Sequence, residues 1–218
     1  MSISYHDDVT PMGRPSQLGE PTWELATYFP RQGEWTEEAY FALESRGGKL
    51  IELVDGKLEF PVMPTGYDQF IVRYLLHALE TYVEAHSLGM VMFAPCPVRL
   101  WEGRIREPDI FLVPRGRWPN LKKPPEAIDL AIEVVSDDPS DRKRDLVDKR
   151  ADYAQAGITE YWIVDPLERR ITVLVLDGGQ YREDGEYSPG QTARSKLLEG
   201  LEIDEAAVFA AGEQPTQP

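Results

Sequence analysis

Cysteine, histidine and positive charge are what this 218-residue chain has least of. A single cysteine, Cys96, excludes an internal disulfide framework and, with no signal peptide at the start, predicts a cytoplasmic protein. Three scattered histidines, His6, His77 and His86, offer neither a zinc cluster nor a Ser-His-Asp set, and Ser136 lacks the glycine-flanked elbow of a nucleophilic serine. No GxxxxGK pattern cradles a phosphate. No apolar run approaches the about 18 residues of a membrane span, so no membrane partner is expected.

Positive charge is scarce overall and unevenly placed. The net charge of −15 argues against the usual strongly basic nucleic-acid binder. Residues 99–150, however, hold 12 basic and 11 acidic side chains, against 11 and 27 in the remainder. A neutral or positive field is therefore possible locally, while the whole molecule repels phosphate at long range.

What is present is patterned for one mixed domain. Residues 1–34, rich in proline and glycine, read as an irregular arm, with Trp23 and Tyr28 candidates to dock on the domain. Thr36 caps a short helix to about residue 45, closed by Gly47-Gly48. Strands at 49–54 and 57–62 flank Asp55-Gly56, a strong hairpin signal. Apolar residues at three- and four-residue steps predict a helix over 67–86, with Gly89 just past its end. Strands follow at 90–94, at 98–101, at the segment carrying Asp109, and at 130–135, the most continuous apolar run and so the expected central strand. A helix at 141–156 and a strand ending at Asp165-Pro166 then complete a parallel crossover. A hairpin across Asp177-Gly178-Gly179 and a helix at 204–211 end the domain, placed at 35–211, before a loose tail at 212–218. The fold class is α/β (α+β), a central mixed sheet flanked by helices.

Two of these apolar strands each carry one acid, Asp109 and Glu133. A carboxylate there is costly to bury unless it is paired or holds a metal. Two acids at adjacent strand ends suit Mg²⁺, or Mn²⁺ in its place, which can activate water and neutralise phosphorus oxygens in phosphodiester hydrolysis. The bland readings are a turn-capping acid after Pro108 and a buried Glu133–arginine pair. A lysine could orient the water, but two residues after Glu133 stands Val135; the nearest lysines are Lys143 and Lys149. On a helical wheel Leu146, Val147, Ala151 and Ala154 share the packed face, with Asp145 and Lys149 almost opposite, as an exposed ion pair.

Pro108-Asp109, Ile132-Glu133-Val134-Val135-Ser136, and the ordered set Asp145, Lys149, Tyr153, Gly157 and Glu160-Tyr161-Trp162-Ile163-Val164-Asp165-Pro166 resemble the Uma-two family. So do Trp35-Thr36-Glu37-Glu38, Glu52-Leu53-Val54-Asp55-Gly56 and Phe93-Ala94-Pro95. This is a bacterial group of endonuclease-like proteins within the PD-(D/E)XK restriction-endonuclease-like superfamily. The resemblance implies Mg²⁺ at Asp109 and Glu133, transfer of the superfamily lysine's role to Lys149, and Glu52 as a supporting acid. Where family members usually carry a histidine, this chain has Asp68, able to bind a cation or water but not to act as an imidazole. The expectation is a Mg²⁺-dependent DNA endonuclease, with homodimerisation as a route to cutting both strands. The alternatives are a catalytically weak module of the same fold that binds DNA or protein, and a hydrolase of another phosphoester.

Overall fold

A computed structural model describes residues 29–44 and 50–213. The docking of Trp23 and Tyr28, the Gly47-Gly48 stop and the tail from residue 214 lie outside the described residues. Helix α1 (Glu37–Glu44) leads to the hairpin of β1 (Glu52–Val54) and β2 (Lys57–Glu59). Its turn is the one Asp55-Gly56 predicts, with φ of 49° and 75°. A side chain at Gly56 would also strike the Gly33 carbonyl at 2.6 Å, where the preceding chain docks. The second arm stops at Glu59, earlier than predicted; Pro61 follows and has no N–H to extend a ladder.

Helix α2 (Gly66–His86) starts at a capping box between Thr65 and Asp68 and ends with Ser87 in the left-handed region. Gly89 is therefore not its cap. It opens β3 (Gly89–Phe93), where a Cβ would meet the Val113 carbonyl at 2.1 Å. Strands β4 (Val98–Trp101) and β5 (Arg104–Arg106) then join the first hairpin in an antiparallel sheet of order β2-β1-β5-β4.

The chain crosses to the main sheet through Glu107, Pro108 and Asp109. Strands β6 (Ile110–Pro114), β7 (Leu130–Val134), β8 (Glu160–Asp165), β9 (Arg170–Asp177) and β10 (Gln180–Tyr187) join β3 in the order β10-β9-β8-β7-β6-β3. The β7–β8 pair is parallel, as the crossover requires, and the other neighbours are antiparallel. The crossover comprises a short helix α3 (Pro139–Lys143), a π-turn (Arg144–Asp148) and helix α4 (Lys149–Gln155). A two-stranded sheet of β11 (Thr192–Arg194) and β12 (Glu202–Asp204), absent from the sequence reading, precedes helix α5 (Glu205–Gly212).

The main sheet is buried on both faces. One face packs Ile110, Ile132, Trp162 and Val173 against Ile71, Leu75 and Leu79 of α2 and Val208 and Phe209 of α5. The other packs Phe111, Ala131, Tyr161 and Ile163 with Tyr153 of α4 and Tyr181. Among the described residues no helix is long and apolar enough to cross a membrane.

Candidate functional site

The site lies where the two sheets meet beneath the crossover. Ile110, the first residue of β6, stands opposite Ile132 of β7, and Asp109, in the bend just before it, reaches β7 through its side chain at Val134, the neighbour of Glu133. Side chains alternate along a strand. Glu133 therefore shares its face with Ala131, on the side of the sheet that packs under Tyr153 of α4. Asp109 is anchored twice: its carbonyl accepts from Ala94 N–H at 3.1 Å and its Oδ2 from Val134 N–H at 2.7 Å. Glu133 directs Oε1 to the Tyr153 hydroxyl at 2.6 Å and the Lys149 ammonium at 2.9 Å.

Lys149 is 3% exposed and meets three acids at once. Besides Glu133, its Nζ lies 3.3 Å from Glu52 Oε1 and 3.4 Å from Asp145 Oδ1. Glu52 comes from the other sheet. Leu53 faces Ile105 and Glu52 faces Glu59, so Glu52, Glu59 and Arg106 form one row across three strands. The Arg106 guanidinium fills that row, with Nη1 at 2.7 Å from both Glu52 and Glu59 and Nη2 at 2.7 Å from Asp152 of α4. Glu52 Oε1 also accepts from Glu107 N–H at 3.0 Å. Glu52 thus links the linker, the small sheet and Lys149.

These contacts set the ionisation of the acids in opposite directions. Burial pushes Glu133 up to about 8; Lys149 pulls against it, and Asp109, Asp145 and Glu52 add to the rise. Asp109 still touches solvent, but the enclosing protein pushes it up to about 6 against Lys149 and the Val134 N–H, with Asp145 and Asp68 adding to the rise. Burial also acts to raise Glu52, yet Lys149, Arg106, Arg144 and the Glu107 N–H outweigh it and hold it down to about 2. Lys149 is raised above its usual value because its three acids outweigh burial.

The acids leave oxygens uncommitted. Among the described residues no donor reaches Asp109 Oδ1 or Glu133 Oε2. Among them, too, no three His, Cys, Asp or Glu side chains converge as a ready-made metal cage. Two carboxylates with free oxygens and raised proton affinity fit a hard cation that keeps much of its water, as Mg²⁺ does.

A family model described as "Putative restriction endonuclease", Uma2, matches residues 37–207. The chain belongs to the Uma2 family. No curated protein matches it. Among solved structures it is similar to a crystal structure from Anabaena variabilis ATCC 29413 described as a "putative nuclease belonging to DUF820", with a TM-score of 0.67 and 16% identity over 81% of this chain and 98% of that one. That likeness shows a shared nuclease-like fold.

In this Uma2 chain the structure brings Asp109, Glu133, Lys149 and Glu52 together. The expected outward placement of Lys149 is overturned. Asp141, Arg144, Asp145, Lys149, Asp152 and Tyr153 face inward, while Val147 is 57% exposed and Ala151 is exposed. The inward stripe is charged because each charge meets a partner there, and the π-turn breaks the wheel's phase. Asp68 is engaged elsewhere: its Oδ2 accepts from the Thr65 N–H and hydroxyl at 2.8 and 2.7 Å, although its charge still reaches Asp109. The arginine foreseen as Glu133's partner stands instead at Glu52. Sequence reasoning gave Arg106 no role; its only signal was an arginine directly before Glu107-Pro108-Asp109, at the end of the short strand Arg104-Ile105-Arg106.

Proposed function

We propose that this chain is a Mg²⁺-dependent DNA endonuclease, with Mn²⁺ able to replace Mg²⁺. The observation that carries this reading is the placing of Asp109, whose Oδ2 accepts from the N–H of Val134, next to Glu133, each acid with a free oxygen, beside the Lys149 ammonium. Asp109 and Glu133 would hold the cation, which supplies Lewis acidity at a phosphodiester and a water of lowered pKa. Glu133, poised between the cation site and Lys149, orients the attacking water. Lys149 places a fixed positive charge where negative charge grows on the phosphorus oxygens, in a site already largely dry. Glu52 keeps that ammonium protonated and in place rather than holding the cation itself.

The test is nicking of supercoiled plasmid in Mg²⁺ or Mn²⁺. Asp109→Ala and Glu133→Ala should each lose about 10²-fold or more, the scale on which single charge-stabilising groups act. Equal nicking by wild type and both variants would overturn the reading. One observation favours a second reading, a nuclease-fold module that binds without cutting: Lys149 is already shared among three acids. Cation binding without cleavage of DNA would decide for the module. A homodimer would present two such sites to opposite strands, and analytical ultracentrifugation of the purified chain tests it.

A further inference from the structure

The π-turn has an identifiable cause outside its own helix. Lys149 N–H bonds to the Arg144 carbonyl, five residues back, rather than to that of Asp145, four residues back. The Asp145 carbonyl accepts instead from the Tyr161 hydroxyl at 2.8 Å, in a fully buried contact. Tyr161 sits on β8, paired in register with Ala131 of β7, two residues before Glu133. The strand pair that carries Glu133 therefore also grips the helix turn that delivers Lys149.

The turn changes where the lysine points. In an unbroken α-helix Lys149 would fall about 140° around from Arg144. Across the π-turn the two are joined by a hydrogen bond and both are buried. Tyr153, four residues on, is carried inward with it; its ring meets Tyr161 edge-on at 5.1 Å and its hydroxyl reaches Glu133. If Lys149 N–H returned to the Asp145 carbonyl, the Tyr161 hydroxyl would have to share or lose its buried acceptor.

We propose that Tyr161 is a positioning residue: its hydroxyl, by taking the Asp145 carbonyl, holds the π-turn that sets Lys149 against Glu133. This rests on the reading of Lys149 as the site's cation. It is separable from that reading because the placement of Lys149 can be measured without any cleavage.

The experiment compares wild type, Tyr161→Phe and Tyr181→Phe. Tyr181 is a fitting control, since its buried hydroxyl donates to the Ile158 carbonyl at 2.8 Å in the same aromatic cluster and does not touch the turn. Acylation of lysines by an amine-reactive ester, mapped by peptide mass spectrometry, should leave Lys149 unmodified in wild type and Tyr181→Phe and modify it in Tyr161→Phe. In Mg²⁺-dependent nicking, Tyr161→Phe should lower kcat by about 10²-fold, the effect of a misplacement of about 1 Å, with KM little changed. Deleting the exposed Val147, which removes the extra residue of the turn, should reproduce both effects should Tyr161→Phe fail to fold. Unchanged Lys149 labelling in Tyr161→Phe, or equal exposure in both tyrosine variants, overturns the proposal. Selective exposure of Lys149 in a protein that never cuts DNA upholds it while removing the nuclease reading.

Discussion

The Lys149 ammonium lies 2.9 Å from Glu133 Oε1, on a crossover segment that turns Asp145 and Asp152 inward with it and Val147 outward. That contact joins a strand of the main sheet to the crossover helix, and Glu52 adds the small sheet to the same cation. Three pieces from distant parts of the chain therefore have to dock correctly before the ammonium is placed. The site works as a check on the assembly of the fold as much as a product of it.

Removing the cation should expose that dependence. Lys149→Met leaves Glu133, Glu52 and Asp145 without their shared partner, and breaking a buried charge pair costs about 3–5 kcal/mol. The loss should be greater at pH 8 than at pH 5, because acids deprived of the ammonium take up protons in the folded state, and holding those protons becomes costlier as pH rises. Urea unfolding at the two pH values measures it. Nicking should fall by about 10²-fold in the same variant.

Much of this arrangement is legible in the sequence because it is written in local terms. Asp55-Gly56 dictates its turn, the four-residue spacing of Ile71, Leu75 and Leu79 dictates α2, and the apolar run around Glu133 announces a central strand. The orientation of Lys149 was not legible. A wheel counts apolar residues, and an inward stripe of mutually neutralised charges looks the same as a solvated face. Nor does a single-sequence pattern reveal a hydrogen bond from Tyr161 to Asp145, sixteen residues apart, that breaks the helical phase. The second sheet escaped notice for a similar reason: Leu53 meets Ile105 only after α2 and three strands have intervened.

Asp109 and Glu133 predict a falling stability on the alkaline side. Asp109 rises from 3.8 to about 6 and Glu133 from 4.5 to about 8, so between those limits the folded chain binds more protons than the unfolded one. Their contribution is fully present below the unfolded values and is lost as pH rises through about 6 and then about 8. The melting temperature of the metal-free protein should therefore drop between pH 5 and pH 8. A cation competes with those protons, so the rise in melting temperature on adding Mn²⁺ should be larger at pH 8 than at pH 5. Asp109→Asn and Glu133→Gln should flatten both trends; a wild-type melting temperature that does not change over this range would contradict the assignment.

Glu52 works in the opposite sense. Its carboxyl falls from 4.5 to about 2, so its stabilisation is present above pH 4.5 and is lost as pH falls through about 2. Glu52→Gln should lower neutral-pH stability by about 3–5 kcal/mol, since Arg106 and Lys149 each lose a buried partner. It should also make acid unfolding shallower, because one acid that must be protonated on the way down is gone. Circular dichroism between pH 5 and pH 2 follows the difference directly.

Asp68 separates a capping role from a site role. Its carboxylate closes the capping box at the start of α2 by accepting from the Thr65 N–H and hydroxyl. Asp68→Ala should cost about 1 kcal/mol, the usual scale for a lost helix cap, and Asp68→Asn, which keeps an acceptor oxygen, should recover most of it. Neither change removes a group that touches Lys149, Glu133 or Glu52, so plasmid nicking should stay within a few-fold of wild type. If both variants melt like wild type yet cut no DNA, Asp68 belongs with Asp109 and Glu133, and its charge, already felt at Asp109, acts in the reaction rather than on the helix.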